Sequence, residues 1–87
     1  SDEQRAKAPA LYRVIRDVAA QISYGKNATM AVAWGRKELE TCGFDRIEYF
    51  EALEAEMLGP IDFPSKPGRV FVAAHFGSIR LIDNIAV

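Results

Sequence analysis

The residue types that do chemistry are sparse in this chain. It has one histidine, His75, and one cysteine, Cys42. Zinc sites take three or four ligands at recognisable spacings, so this pair makes no metal set. A histidine on a strand beside a hairpin reads as structural or exposed. A lone thiol cannot close an internal disulfide, so Cys42 reads as an inert buried cysteine and suits a reducing compartment. Glu48, Glu51, Glu54 and Glu56 cluster, but no acid and base are paired among them, and a solvated edge is the simpler reading. Gly25-Lys26-Asn27 stands at a helix start, where an anion can bind in principle, yet it reads better as a turn joining two helices. Neither Gly-x-x-x-x-Gly-Lys nor Gly-x-Gly-x-x-Gly occurs. Arg80 and Asp83 lie an odd number of residues apart, so a regular strand sends them to opposite faces. One of them then turns toward the core and needs a hydrogen-bond partner there. The expected catalytic, cofactor-binding and metal-ligating residues therefore number none.

The elements that hold these residues follow from periodicity. Ser1 with Gln4 has the form of a capping box, and Asp2 and Glu3 suit the positive end of a helix dipole. Pro9 either kinks one long helix or starts a second. Leu11, Val14, Ile15, Val18 and Ile22 then recur at helical spacing, with Gly25 as the C-cap. A second helix starts at the N-cap Asn27 and ends near Gly43, with Ala28, Val32, Gly35, Leu39 and Cys42 on one face. Met30 and Trp34 sit off that face. They either widen the buried arc or form an apolar contact surface; in the first case the loop from Gly59 to Gly68 folds back over them.

After Gly43 the period shortens. Phe44 to Glu51 reads as a strand, Ala52 to Leu58 as a short helical turn, and Gly59 to Gly68 as a loop. Arg69 to Phe76 is a strong strand, Gly77-Ser78 a two-residue hairpin turn, and Ile79 to Val87 the returning strand. The returning strand carries apolar residues on both sides of its alternation, which predicts a central position or cover on both faces. The expected fold is α+β: two layers, a helical hairpin packed on a small, mostly antiparallel three-stranded sheet.

Composition bounds the rest. The 87 residues fit one domain, 1–87, and are 49% hydrophobic and 26% charged, which argues against disorder. The net charge of −1 weakens any reading as a general nucleic-acid binder, whose affinity rests on excess cations. No apolar run reaches the ~18 residues that span a bilayer, and no signal peptide is visible, so neither nucleic acid nor membrane is expected as a partner. The chain lacks a starting Met and is expected to come from something longer.

The stretch from Arg69 to Asn84 carries a family resemblance. Its distinctive core is Ala73-Ala74, Gly77, then Arg80-Leu81-Ile82-Asp83-Asn84. This resembles the C-terminal signature of the pantothenate synthetases, or pantoate–β-alanine ligases. Ser1 to Ala6 with Ala8 to Tyr12 resembles the start of that family's C-terminal domain. Asp45-Arg46-Ile47-Glu48-Tyr49-Phe50-Glu51 resembles the family's strand Asp-Tyr-x-Glu-x-x-Asp. Arg46 and Glu51 depart from that pattern, and no role is attached to them.

The resemblance implies the C-terminal lid domain of a cytoplasmic bacterial enzyme of pantothenate and coenzyme A biosynthesis. Such an enzyme uses ATP and magnesium to convert pantoate to a pantoyl adenylate, which β-alanine then attacks. It also implies a homodimer and a separate N-terminal Rossmann-like catalytic domain with His-x-Gly-His and Ser-Ser-Arg-Asn elements. Neither element occurs in this sequence, so no catalytic residue carries over, and no cofactor is expected to bind here. The implied partners are that N-terminal domain and, in the whole enzyme, pantoate, β-alanine and ATP. The alternative expectation is a small α+β protein- or RNA-interaction module without catalysis. A K-homology-type reader would want a Gly-x-x-Gly loop and a basic face, and neither is present.

Overall fold

The computed structural model describes residues 2–54 and 68–87, with side chains from residue 5 onward. The elements run α1 (Asp2–Ser23), α2 (Ala28–Thr41), β1 (Arg46–Glu54), β2 (Gly68–Phe76) and β3 (Ile79–Ala86). The proposed capping box at Ser1, the segment 55–58 of the proposed helical turn, and the loop over 59–67 lie outside the described residues.

One helix, not two, crosses Pro9. The ring removes the hydrogen bond to the Arg5 carbonyl, and the helix continues because its apolar stripe is anchored downstream. Leu11 is 2% exposed and Val14, Ile15, Val18 and Ile22 are fully buried, as their spacing predicts. Both helices end on a glycine at φ 98°, Gly25 and Gly43. At each end two backbone bonds close the same motif: Lys26 N–H to Gln21 and Gly25 N–H to Ile22, then Phe44 N–H to Leu39 and Gly43 N–H to Glu40. Asn27 caps α2, its side chain accepting from Met30 N–H at 3.2 Å. Lys7 Nζ donates to the Cys42 carbonyl at 2.7 Å, a cation on the negative end of α2.

The buried face of α2 is centred differently from the sequence expectation. Ala28, Ala31, Gly35 and Leu39 are buried, whereas Val32 and Cys42 only flank the core. Gly35 lets the helix approach Phe50 closely: a Cβ there would lie 2.7 Å from Phe50 Cζ and 2.8 Å from Val18 Cγ2. Met30 is 62% exposed, while Trp34 is half-buried against the core of its own chain.

The sheet is wholly antiparallel, in the order β1-β2-β3. Two expectations are corrected here. Ala52, Leu53 and Glu54 continue β1 instead of beginning a helical turn, because each pairs with β2. Among the described residues β3 is an edge strand, not a central one: it pairs there with β2 alone and alternates half-buried with exposed. Its second apolar side is Ile82, which is 55% exposed. β2 is the central strand. The turn after it is the expected hairpin, with Gly77 at φ 56°.

Both helices pack on one face of the sheet, α1 over β2 and β3, α2 over β1. That face carries Phe50, Ala52, Val70, Val72, Ala74 and Phe76, all in the core. Phe44 meets Phe76 edge to face at 6.1 Å.

Candidate functional site

The opposite face of the sheet gathers the polar side chains. Its geometry begins with a β-bulge. Ile47 pairs with Ala74 and Tyr49 with Ala73, so Glu48 is the extra residue between them. Unbroken alternation would put Glu48 beside Phe50 and Ala52 on the helix side. The bulge turns it to the open face instead, and Ile47 packs on the core.

Cross-strand register then brings two partners to Glu48, and a third side chain, Arg46, to one of them. His75 on β2 pairs with Arg46 on one side and Arg80 on the other. Arg80 forks onto the carboxylate, Nε to Oε1 and Nη2 to Oε2, both at 2.9 Å. His75 Nε2 lies 2.9 Å from the same Oε1, and Arg46 Nη2 lies 3.0 Å from His75 Nε2. The Arg80 fork, then His75, holds the Glu48 carboxyl at about 2, well below its ordinary 4.5, and the carboxylate holds the Arg80 guanidinium above its ordinary value. The group is exposed, so water and salt screen much of this coupling. Farther along the face Arg69 donates to the Asn84 side chain at 2.8 Å, and Tyr49, Glu51, Leu53 and Phe71 line a shallow depression.

The residues singled out by type thus fall in different places. His75 sits inside the polar network. Glu48 is tied to Arg80 and His75 and is not part of a free solvated edge, while Glu51 stays exposed and Glu56 lies outside the described residues. Arg80 faces outward and Asp83 toward the helix side, as their spacing requires. Asp83 is half-buried there, and its Oδ1 accepts from the adjacent Asn84 N–H at 2.8 Å. Cys42 is remote from this face, at the end of α2. It is half-buried, not buried as expected, because Val32 and Cys42 lie at the margin of the helix contact; Arg13 Nη2 stands 3.4 Å from its sulfur. Gly25-Lys26-Asn27 is a helix-joining turn. Beside it a groove is lined by Asp17, Gln21, Tyr24, Lys26 and Trp34.

Sequence reading missed Arg46 and the tie between Glu48 and Arg80. The one signal available was a charged residue at a position where alternation with Phe50 and Ala52 calls for an apolar one. Among the described residues no three His, Cys, Asp or Glu side chains come together as metal ligands. No helix among them is long and apolar enough to cross a membrane.

Among the described residues, fold and site define a small two-layer α+β unit with one sheet face covered by helices and the other carrying internally paired polar side chains beside an apolar depression. The family model described as pantoate-beta-alanine ligase matches residues 1–86, and the chain belongs to that family. It is 44% identical over 88 residues to the pantothenate synthetase of Rhodospirillum rubrum and 46% identical over 88 residues to that of Rhodopseudomonas palustris. Each match covers 100% of this chain and 31% of the relative, so the chain spans about a third of the length of these proteins. The crystal structure of pantothenate synthetase from Thermus thermophilus superposes with a TM-score of 0.82 at 32% identity, over 98% of this chain and 31% of that one. The α-helical pair and three-stranded antiparallel sheet are therefore a part of the pantothenate synthetase fold.

Proposed function

We propose that this chain is the C-terminal lid domain of an ATP-dependent pantoate–β-alanine ligase that works as a cytoplasmic homodimer. The carrying observation is the family match along residues 1–86 combined with coverage of only 31% of each relative. In the reaction a pantoate carboxylate oxygen attacks the α-phosphorus of ATP. Pyrophosphate leaves and a pantoyl adenylate forms. The β-alanine amine then attacks the acyl carbon, loses a proton, and displaces AMP.

Charge develops at the α-phosphate in the first step and at the acyl oxygen in the second, and both need fixed donors. The cationic side chains described on the open sheet face have partners within the chain, Arg80 in Glu48, Arg69 in Asn84 and Arg46 in His75. In this reading the remaining two thirds of the enzyme hold nucleotide, metal and substrates. This domain would contribute by covering the site, since a reactive acyl adenylate is lost to water unless water is kept out.

The test is pantoate-dependent exchange of labelled pyrophosphate into ATP. The full-length enzyme is expected to exchange and the 87-residue chain alone to show none. Exchange by the chain alone would overturn the assignment of catalysis to the rest of the protein.

A further inference from the structure

His75 has contacts that cannot all be made at once. Its Nε2 lies 3.0 Å from Arg46 Nη2 and 2.9 Å from Glu48 Oε1. A ring nitrogen carries either a proton or a lone pair. A guanidinium only donates and an ionised carboxylate only accepts. The Arg46 contact therefore needs a bare Nε2, and the Glu48 contact needs Nε2–H.

The surroundings decide which state goes with which contact. When Nε2 is bare Glu48 loses the His75 bond and its Oε1 repels the ring lone pair, but the carboxylate keeps the Arg80 fork on both oxygens and the ring turns to Arg46. Arg46 has His75 as its side-chain partner among the described residues. A second proton on the ring reverses this: the imidazolium is drawn to Glu48 and repelled by Arg46, and both forces act in the same sense. The other charged or titratable groups facing this position are Arg80 on β3, Tyr49 on β1 and Asp45 just before β1. Arg80 is neutralised by Glu48, and the Asp45 carboxylate takes the Gly77 N–H. The helices pack on the other side of the sheet.

We propose that His75 is a proton-operated latch on Arg46. The neutral ring, protonated on Nδ1, accepts from Arg46 at Nε2. The doubly protonated ring donates from Nε2 to Glu48 and releases the Arg46 guanidinium to the open face. An arginine on the exposed face of this domain is thus held when His75 is neutral and free when it is charged.

The chain has a single histidine, so one set of ring nitrogen signals reports the latch. Long-range proton–nitrogen NMR correlation of the neutral ring should show a proton on Nδ1 and a bare Nε2. On acidification both nitrogens should carry protons, and hydrogen exchange of the Arg46 guanidinium should rise several-fold over the same interval. In Arg46→Met the neutral ring should move its proton to Nε2, because Glu48 then remains as its partner. A wild-type neutral ring protonated on Nε2 would overturn the latch, as would Arg46 exchange that ignores the ring's titration. These wild-type readings decide the matter even if the variant fails to fold. A folded Arg46→Met that keeps its proton on Nδ1 counts against the latch as well.

Discussion

The two faces of the sheet are built from alternate residues of the same three strands, and they do different work. The covered face is apolar apart from Asp83 at its β3 margin, with Phe50, Val70, Val72, Ala74 and Phe76 closed under α1 and α2. The open face carries Glu48, His75, Arg80, Arg46, Arg69 and Asn84, joined side chain to side chain. Removing apolar area from water and filling the space behind it is what stabilises a domain of this size. Ion pairs left in water contribute little and are screened by salt. The difference teaches that the open face is arranged for position and charge, and the covered face for stability.

The sharpest way to break that comparison is Phe50→Ala. Phe50 is 2% exposed and is the largest fully buried side chain among the described residues. Truncation should cost about 3–5 kcal/mol in urea unfolding, enough to unfold a large share of so small a domain. A loss under about 1 kcal/mol would mean that the covered face is not the source of stability.

Gly35→Ala tests packing on the same face with the opposite chemistry. On an exposed helix this change gains about 1 kcal/mol from helix propensity. Here the new methyl meets Phe50 Cζ at 2.7 Å and Phe50 Cε2 at 2.9 Å, so we expect a net loss of about 1–2 kcal/mol. A rise in the thermal midpoint would show that α2 can lift off the sheet without penalty.

On the open face the expected effects are smaller and depend on pH. The Glu48 carboxyl is lowered in the folded chain, from 4.5 to about 2, chiefly by the Arg80 fork. A lowered carboxyl stabilises the fold above its unfolded value and loses that contribution as pH falls from 4.5 toward 2. Glu48→Gln should therefore be slightly less stable than the parent at neutral pH, and the gap should close on acidification through that interval. About 1 M salt should narrow it at neutral pH. A gap that ignores both pH and salt would show that Glu48 acts through packing at the bulge.

Asp83→Ala should do least. A carboxylate satisfying buried donors would cost roughly 1–3 kcal/mol on removal. The Asp83 carboxylate is half-buried and accepts from the neighbouring Asn84 N–H, so a change within about 0.5 kcal/mol is expected. A larger loss in thermal unfolding would move Asp83 to the stabilising side of the comparison.

Much of the architecture was legible because it is encoded between residues close in sequence. The stripe Leu11, Val14, Ile15, Val18, Ile22 declares both a helix and its buried face, since neighbours on one helix face are three and four residues apart. Asn27, Gly25 and Gly43 mark helix ends because caps are local hydrogen-bond chemistry. Gly77 marks the hairpin because the turn needs a positive φ. The family signature in Arg69 to Asn84 was legible for the same reason, being one unbroken stretch.

What tertiary structure alone decided lies between residues far apart. Ile82 made β3 look covered on both faces, yet nothing within β3 says that, among the described residues, it pairs only with β2. The buried arc of α2 centres on Ala31 and Gly35 because the Phe50 ring lies under them, a contact between helix and sheet. Above all, the bulge that turns Glu48 outward exists because β1 slips one residue against β2 between Ile47 and Tyr49. That slip sets Glu48 among Arg80, His75 and Arg46. Sequence fixes which side chains can ionise and which can be buried, because those are properties of single residues and near neighbours. Which of them meet across the sheet is settled only when the strands pair, because one residue of register exchanges the two faces.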